Sequence, residues 1–221
     1  EGYARMLRGA YEAVKRANPD AEVVGMATSG LPLDWIERVL IANEGVKCMD
    51  AISVHPYSEP LSPEDGNFVS RSKALHELLK KYGYEDAKLY VSEIGWPVYE
   101  GSGVTELEQA LYNVRVLLLN DAYNLYDYIY FYEFQDRSYN AYPSEGGFGL
   151  IRYRAMPVKN PYTAKKSYIA LSCFNNILGN AEFKKTIDSG KEIFSYLYNK
   201  DGKGIIALGT YKGSKMISFK L

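Results

Sequence analysis

Strand-like and helix-like segments alternate along most of this chain of 221 residues, and that alternation limits its possible folds more than any other feature. A helical pattern over residues 2–17 comes first, and four short apolar segments follow it, each leading into an amphipathic stretch. Their length and composition predict β-strands at residues 22–27, 50–54, 88–92 and 127–132. Short apolar strands that alternate with amphipathic helices indicate a parallel sheet covered by helices.

The helices after these strands have recognisable ends. They are predicted to begin near Asp34, to cover residues 70–82, to begin with a capping box of Thr105 and Glu108, and to cover residues 162–178. A long glycine- and tyrosine-rich loop precedes the last helix. Loops of that length inside compact domains are usually functional or disordered.

Two architectures fit this pattern, an open doubly wound sheet and a TIM-type (β/α)₈ barrel. No glycine-rich phosphate-binding loop follows a strand, so the nucleotide-binding open sheet is the weaker alternative. Polar and aromatic residues instead cluster at the carboxyl ends of three strands, where barrel enzymes keep their chemistry. We therefore expect an α/β fold with a partial TIM-type barrel over residues 1–178.

The pattern changes after Gly179, where strand signals follow one another without helices. Strands are predicted at residues 192–198, 204–210 and 215–221. In the last of them Ile217, Phe219 and Leu221 alternate with polar residues, so one face is expected to be buried. Residues 179–221 should form a small antiparallel unit, part of a β-sandwich, because three strands make a poor independent domain.

Composition and charge argue against several classes of function. Lys and Arg total 26 and Asp and Glu total 27, with no basic stripe, so nucleic acid is not expected as a partner. No apolar run reaches the roughly 18 residues that a membrane-spanning helix needs. Cys48 and Cys173 lie in apolar contexts and are predicted to be buried free thiols. With His55 and His76 as the two histidines, no metal site is expected. The 21 tyrosines fit a sugar-binding surface and a tyrosine-rich core equally well.

Four segments at strand ends and in the long loop carry the residues that point to a chemistry. They read Ser53-Val54-His55-Pro56-Tyr57, Val91-Ser92-Glu93-Ile94-Gly95-Trp96-Pro97, Phe131-Tyr132-Glu133-Phe134-Gln135-Asp136 and Phe148-Gly149-Leu150. In this order and spacing they resemble the second half of the clan A glycoside hydrolases, which are retaining (β/α)₈-barrel enzymes. The resemblance covers about residues 1–178, and the strands of this part would correspond to the fifth to eighth of the family.

The resemblance implies roles for several residues. Glu93 matches the glutamate that attacks the anomeric carbon, and the family often has a Gly-aromatic pair just after it, here Gly95-Trp96. His55 and Tyr57 match a His-x-Tyr on the family's sixth strand, and that tyrosine resembles the one that hydrogen-bonds the nucleophile.

Further residues are expected to contact the substrate. Trp96, just beyond a strand end, should line the cleft. The family's eighth strand usually offers a tryptophan as the floor of the sugar site, whereas this chain has Tyr132-Glu133 there, so Tyr132 is the expected platform. Glu133 is expected to contact substrate hydroxyls or to pair with a neighbouring arginine, and Gln135 is a weaker candidate of the same kind.

Each of these residues also has a simpler interpretation. A glutamate at a strand end is more often a surface or salt-bridging residue than a nucleophile, although the residues after Glu93 favour the catalytic role. His55 could be a core histidine with satisfied hydrogen bonds. Tyr57 and Trp96 could be packing residues.

One part of the catalytic device is expected to lie outside this chain. Retaining hydrolysis uses two carboxyl groups about 5–5.5 Å apart, a nucleophile and an acid/base. The family's acid/base glutamate ends its fourth strand, which would precede residue 1. The resemblance thus implies a glycoside hydrolase of β-linked oligo- or polysaccharides, or a fragment of one, without a cofactor and inactive or nearly so in isolation.

The expected partners are a carbohydrate and either a second copy of the chain or the missing half of the barrel, because half a barrel leaves open edges. A secreted or cell-surface location is favoured, since enzymes that act on polysaccharides are usually exported. Three alternatives stay open: a carbohydrate-binding protein without catalysis, a barrel enzyme that uses Glu93 as a general base, and a structural module.

Overall fold

The computed structural model describes residues 1–43, 45–99, 101, 103–138, 144–154, 160–190 and 192–216. The helices are α1 (Gly2–Ala17), α2 (Leu33–Ala42), α3 (Phe68–Lys81), α4 (Glu106–Tyr123) and α5 (Lys166–Leu178), with a short 3₁₀ turn at Ser144–Gly146. The strands are β1 (Val24–Ser29), β2 (Ala51–His55), β3 (Lys88–Ile94), β4 (Tyr128–Phe131), β5 (Glu182–Thr186), β6 (Ile193–Lys200) and β7 (Lys203–Thr210).

Strands β1 to β4 form a parallel sheet in sequence order, as the alternating pattern predicts. The buried apolar residues of α1 to α4 join those of the strands in one core, for example Leu75 of α3 with Ile52 of β2 and Val91 of β3. Right-handed crossovers bring each helix back onto the same side of a sheet whose strands follow in order. A doubly wound sheet carries helices on both faces, so this arrangement is of the barrel type.

The other face of the parallel sheet is aromatic and open. Ile129 and Phe131 of β4 pack against the core, so the alternation of a strand directs Tyr128 and Tyr130 to the opposite face. Their side chains are 44% and 54% exposed. Within the described residues β1 and β4 are the two edges of the sheet, which is therefore an open part of a barrel rather than a closed one.

The capping box predicted for α4 is confirmed. The Thr105 hydroxyl accepts a hydrogen bond of 3.2 Å from the Glu108 backbone N–H. In return, the Glu108 carboxylate accepts one of 2.8 Å from the Thr105 backbone N–H. These two bonds satisfy donors that a helix start leaves without intrahelical partners, and they fix the point at which α4 begins.

The second sheet is antiparallel, in the order β5-β6-β7, and it packs on the helices of the barrel part. Tyr196 and Tyr198 of β6 form a second core with Leu118 of α4 and Leu178 of α5. The Tyr198 hydroxyl donates to Asp121 at 3.1 Å. Because this sheet rests on α4 and α5, it shares apolar burial with the barrel part.

The C-terminal part differs from the predictions at the start of α5 and at β5. Helix α5 begins at Lys166 rather than at residue 162, because Ala164 bridges to Ile151 instead of entering the helix. Strand β5 was not predicted, since its sequence EFKKT is mostly polar and forms a strand by pairing with β6. Of the strand predicted at 215–221, residues 215 and 216 lie outside any strand and the rest lie outside the described residues.

The prediction of buried free thiols is confirmed for one cysteine and wrong for the other. Cys48 is buried in the main core, where the Tyr84 hydroxyl lies 3.6 Å from its sulfur. Cys173 is exposed, because it lies on a face of α5 that no described element covers.

A buried arginine joins the C-terminal sheet to the loop that follows β2. Arg115 of α4 is 6% exposed and pairs through two of its nitrogens with Glu64 in that loop. Its guanidinium also lies over the rings of Tyr112 and Tyr211, at 5.3 and 5.5 Å from their centroids. The loop, the helix and the end of β7 thus share one cation, which limits the movement of each.

A glycine allows the segment after β3 to touch the segment after β4. A Cβ atom on Gly95 would lie 2.2 Å from the carbonyl oxygen of Tyr132 and 3.0 Å from the ring of Phe148. The first distance is to backbone, which cannot swing aside as the end of a long side chain can. This position therefore accepts no side chain without separating the two strand ends.

We expect Gly95→Ala to destabilise the protein by about 1–3 kcal/mol, because an added methyl group overpacks the site against backbone. The matched control is Gly9→Ala on α1, where an added Cβ meets nothing within 4 Å. That change should stabilise the helix by up to about 1 kcal/mol. Urea denaturation followed by circular dichroism measures both. Equal midpoints for Gly95→Ala and the unmodified protein would contradict the close approach.

Candidate active site at the carboxyl ends of the parallel strands

Glu93 lies at the end of β3, on the side of the sheet where the carboxyl ends of all four parallel strands meet, which we call its carboxyl edge. The pairing between β3 and β4 shifts register between Val91 and Ile94, so the regular alternation of side chains is broken at Glu93. The Glu93 side chain is 41% exposed. A carboxylate held at a strand end and still open to solvent can be reached by a ligand.

Two residues from the end of β2 contact the same oxygen of Glu93. The Tyr57 hydroxyl donates a hydrogen bond of 3.2 Å to Glu93 Oε2. The Nδ1 atom of His55 lies 3.7 Å from that oxygen. The structure therefore brings together three residues that the sequence singled out, and Tyr57 stands where the family resemblance puts the tyrosine that bonds the nucleophile.

The imidazole of His55 is held in place from behind by two serines. Its Nε2 atom lies 2.9 Å from the Ser92 hydroxyl, which in turn hydrogen-bonds the hydroxyl of Ser53. Because one ring nitrogen is engaged by Ser92, the other is directed toward Glu93. The sequence analysis missed Ser53 and Ser92, although a signal was present: one lies two residues before His55 and the other directly before Glu93.

Burial raises the pKa of the Tyr57 hydroxyl, and the negative charge of Glu93 together with its hydrogen bond raises that pKa further. The shift keeps the phenol protonated well above neutral pH. Tyr57 therefore remains a hydrogen-bond donor to Glu93 over the range in which proteins are usually assayed.

An aromatic surface lies next to these residues. The Tyr132–Glu133 peptide bond is cis, and the Tyr132 ring packs edgewise on Phe148 at 5.2 Å between centroids. The same Phe148 ring lies 5.9 Å from the ring of Tyr57. The Tyr132 hydroxyl donates to the exposed carboxylate of Glu145 at 3.5 Å. Phe148 belongs to one of the motifs quoted from the sequence but was given no role in the site, because its contacts come from two strand ends distant in sequence.

Glu133 and Gln135 lie beyond the end of β4. Glu133 Oε2 accepts a hydrogen bond of 2.8 Å from Arg137, which answers the expectation that it pairs with a neighbouring arginine. The Arg137 guanidinium also lies 5.0 Å above the Tyr132 ring. Burial raises the pKa of Glu133, and Arg137 opposes that shift. Glu133 Oε1 and Gln135 Nε2 are buried without a partner among the described residues, and such atoms usually bond a water or a ligand.

The prediction that Trp96 lines the cleft is wrong. Its side chain is fully buried and belongs to the main core, where it packs edgewise on Tyr112 at 5.6 Å. The indole N–H donates to the Leu61 carbonyl at 2.7 Å. These contacts with α4 and with the loop after β2 place the indole in the core rather than in the cleft.

No group of three or more His, Cys, Asp or Glu side chains that could hold a metal ion occurs among the described residues. Within the same part of the chain, no helix is both long enough and apolar enough to cross a membrane.

Comparison with known proteins gives similarity at the level of structure. No protein-family model matches the chain, and no curated protein is significantly similar to it. A family 39 glycoside hydrolase from the gut symbiont Bacteroides cellulosilyticus WH2 is 25% identical, with a TM-score of 0.80 over 95% of this chain and 44% of its own. A glucosidase from Croceicoccus marinus is 16% identical, with a TM-score of 0.62 over 88% of this chain and 43% of its own.

A third similar structure is a GH128 endo-β-1,3-glucanase from Amycolatopsis mediterranei. It is 13% identical, with a TM-score of 0.52 over 77% of this chain and 64% of its own. The chain spans less than half the length of the first two structures that it matches. The chain therefore has the fold of part of a TIM-type glycoside hydrolase barrel, and the fold class predicted from the sequence is confirmed.

The burial of Trp96 can be tested by fluorescence, because the chain has two tryptophans. In the Trp35→Phe protein, emission comes from Trp96 alone, and we expect iodide to quench it weakly because the indole is fully buried. The control is Trp96→Phe, which leaves the partly exposed Trp35 and should be quenched more strongly. Strong quenching of Trp96, or a change in its emission on adding a sugar that the protein binds, would contradict its burial and show that it lines the cleft.

Proposed function

We propose that the protein containing this chain is a retaining glycoside hydrolase of β-linked oligo- or polysaccharides, with Glu93 as the nucleophile and the acid/base outside this chain. The observation that carries the proposal is the placement of the Glu93 carboxylate, which is part-exposed at the carboxyl edge of the sheet with the Tyr57 hydroxyl 3.2 Å away. Three solved glycoside hydrolases with this fold support it.

The two carboxyl groups of such an enzyme act in turn. Glu93 attacks the anomeric carbon, the bond to the leaving oxygen breaks, and the acid/base gives that oxygen its proton. Water then attacks the glycosyl-enzyme bond, and the acid/base takes a proton from the water as the sugar leaves. Since the contacts of Tyr57 and His55 both fall on Oε2, we assign the attack to Oε1.

The residues around Glu93 suit the first half of this reaction. Tyr57 stays protonated and holds the Glu93 carboxylate through its hydrogen bond. His55, held by Ser92, adds a second polar contact to the same carboxylate oxygen. Tyr132 offers a part-exposed ring for the flat face of a sugar, with Glu133 and Gln135 beside it as partners for hydroxyl groups.

The proposal is tested with Glu93→Ala in the full-length protein, assayed on a panel of aryl β-glycosides with and without azide. Removing the nucleophile should lower kcat by at least about 10³-fold. Azide should restore turnover by entering the space left by the carboxylate and should yield a glycosyl azide. The matched control is Glu77→Ala on the exposed side of α3, which should retain full activity.

The same assay separates the alternatives. If Glu93→Ala and the unmodified protein cleave at the same rate, Glu93 is not the nucleophile. If the unmodified protein binds glycans and releases no product from any of them, the carbohydrate-binding alternative is supported instead. If a metal or a phosphate group proves to be required, the barrel enzyme with Glu93 as a general base is supported.

We propose in addition that this chain by itself associates with further copies through the open face and edges of its parallel sheet. The face carries exposed Tyr128 and Tyr130, and an unpaired strand edge favours pairing with another chain. In the full-length protein, the N-terminal half of the barrel would cover the same surface.

Sedimentation velocity on the 221-residue chain checks this second proposal. We expect a dimer or larger species, and Tyr128→Lys should shift it toward monomer because a charge on the open face opposes contact. The control is Tyr168→Lys on α5, which changes a residue of the same 44% exposure outside the sheet. A monodisperse monomer for the unmodified chain would refute the proposal.

A further inference from the structure

A group of buried polar side chains lies behind the candidate site and has no part in the proposed reaction. Gln109 of α4 and Ser167 of α5 are fully buried, and Lys165, just before α5, is 2% exposed. Burying polar groups is unfavourable unless each finds partners of good geometry. The partners of these three side chains are backbone carbonyls next to the site, the carboxylate of Asp136 and one another.

Gln109 ties the end of β3 to the segment after the 3₁₀ turn. Its Nε2 donates to the carbonyl of Trp96 at 2.8 Å and lies 3.2 Å from the carbonyl of Phe148. Its Oε1 accepts from the Ser167 hydroxyl at 3.0 Å, which orients the amide. One side chain thus links the residue three positions after Glu93 to Phe148.

Lys165 also binds the segment that contains Phe148. Its ammonium group donates to the carbonyl of Gly147 at 2.9 Å and to Asp136 Oδ1 at 3.0 Å. The same Asp136 oxygen accepts from the Gly149 N–H at 2.8 Å. Burial lowers the pKa of Lys165 and raises that of Asp136, and each charge opposes the shift of the other. A buried pair of this kind is weak evidence for stability, and its best-attested use is to fix one geometry.

Phe148 is the residue that these contacts hold. Its carbonyl bonds Gln109, and Lys165 and Asp136 hold the glycines on either side of it. Its ring is 5% exposed and lies edgewise against the rings of both Tyr57 and Tyr132. The ring also lies so close to Gly95 that a Cβ atom there would be 3.0 Å from it. A shift of the Phe148 backbone would therefore change the contact between the ring and Tyr57.

We propose that Gln109 and Lys165 are positioning residues, which hold the Phe148 ring as a wedge that keeps the Tyr57 hydroxyl on Glu93. The proposal rests on the function proposed above, because it concerns the aim of the nucleophile. It assigns the buried polar group a role in catalysis rather than in stability alone. The chain of contact runs from Lys165 and Gln109 through Phe148 to Tyr57, and from Tyr57 to Glu93.

The test measures turnover of an aryl β-glycoside by the full-length protein. Phe148→Leu and Lys165→Met should each lower kcat by about 10- to 100-fold, since misplacing a reacting group by about 1 Å has an effect of that size. KM should stay within about threefold, because the lost interaction belongs to the transition state. Lys166→Met, at the exposed residue next along the chain, is the control and should leave kcat unchanged.

A second measurement distinguishes positioning of Glu93 from general damage. In the Glu93→Ala protein rescued by azide, no carboxylate remains to be aimed, so Phe148→Leu should change the rate by less than about threefold. Thermal unfolding of each variant shows whether it is folded. If Lys165→Met fails to fold, Phe148→Leu, a milder apolar exchange, supplies both readouts.

The outcomes are separable. If Phe148→Leu lowers kcat in the protein that retains Glu93 and leaves the azide rate of the Glu93→Ala protein unchanged, the wedge is supported. Equal losses in the two reactions, or no loss in either, overturn it while leaving Glu93 as the nucleophile. Failure of azide to rescue Glu93→Ala at all would overturn the proposed function and the wedge together.

Discussion

The parallel pairing of β1 to β4, with the crossover helices on one face, is the constraint on which the candidate site depends. Parallel strands point the same way, so their carboxyl ends meet at one edge of the sheet. Tyr57 and Glu93 are 36 residues apart in the chain, yet their side chains share a hydrogen bond at that edge. A change of strand order would separate them.

The surroundings of Glu93 combine two properties that usually oppose each other. A carboxylate that is tightly hydrogen-bonded is often buried, and an exposed one is often mobile. Here Tyr57 and His55 engage one oxygen of Glu93 while the side chain stays 41% exposed. The group is thus held and reachable at once, as attack on a bound sugar requires.

Support for this arrangement comes from residues that no ligand would touch. Gly95 lets the backbones after β3 and β4 meet, and Gln109 and Lys165 bind the carbonyls of the neighbouring segment. The buried charge of Lys165 and the missing side chain of Gly95 lower the stability of the fold. In return, these contacts fix the position of the strand ends. Trp96 contributes in the same way, as a core residue beneath the site rather than as a wall of it.

The sequence by itself determined the order of strands and helices from α1 to α5, the parallel sheet and the strand-end positions of His55, Tyr57 and Glu93. These follow from periodicity, capping and strand ends, which are properties of short segments. Tertiary structure alone decided that Trp96 is core, that Phe148 packs between two tyrosines, and that the polar segment of β5 is a strand. Each of those outcomes depends on partners far away in the chain, and the pattern of a single segment carries no information about them.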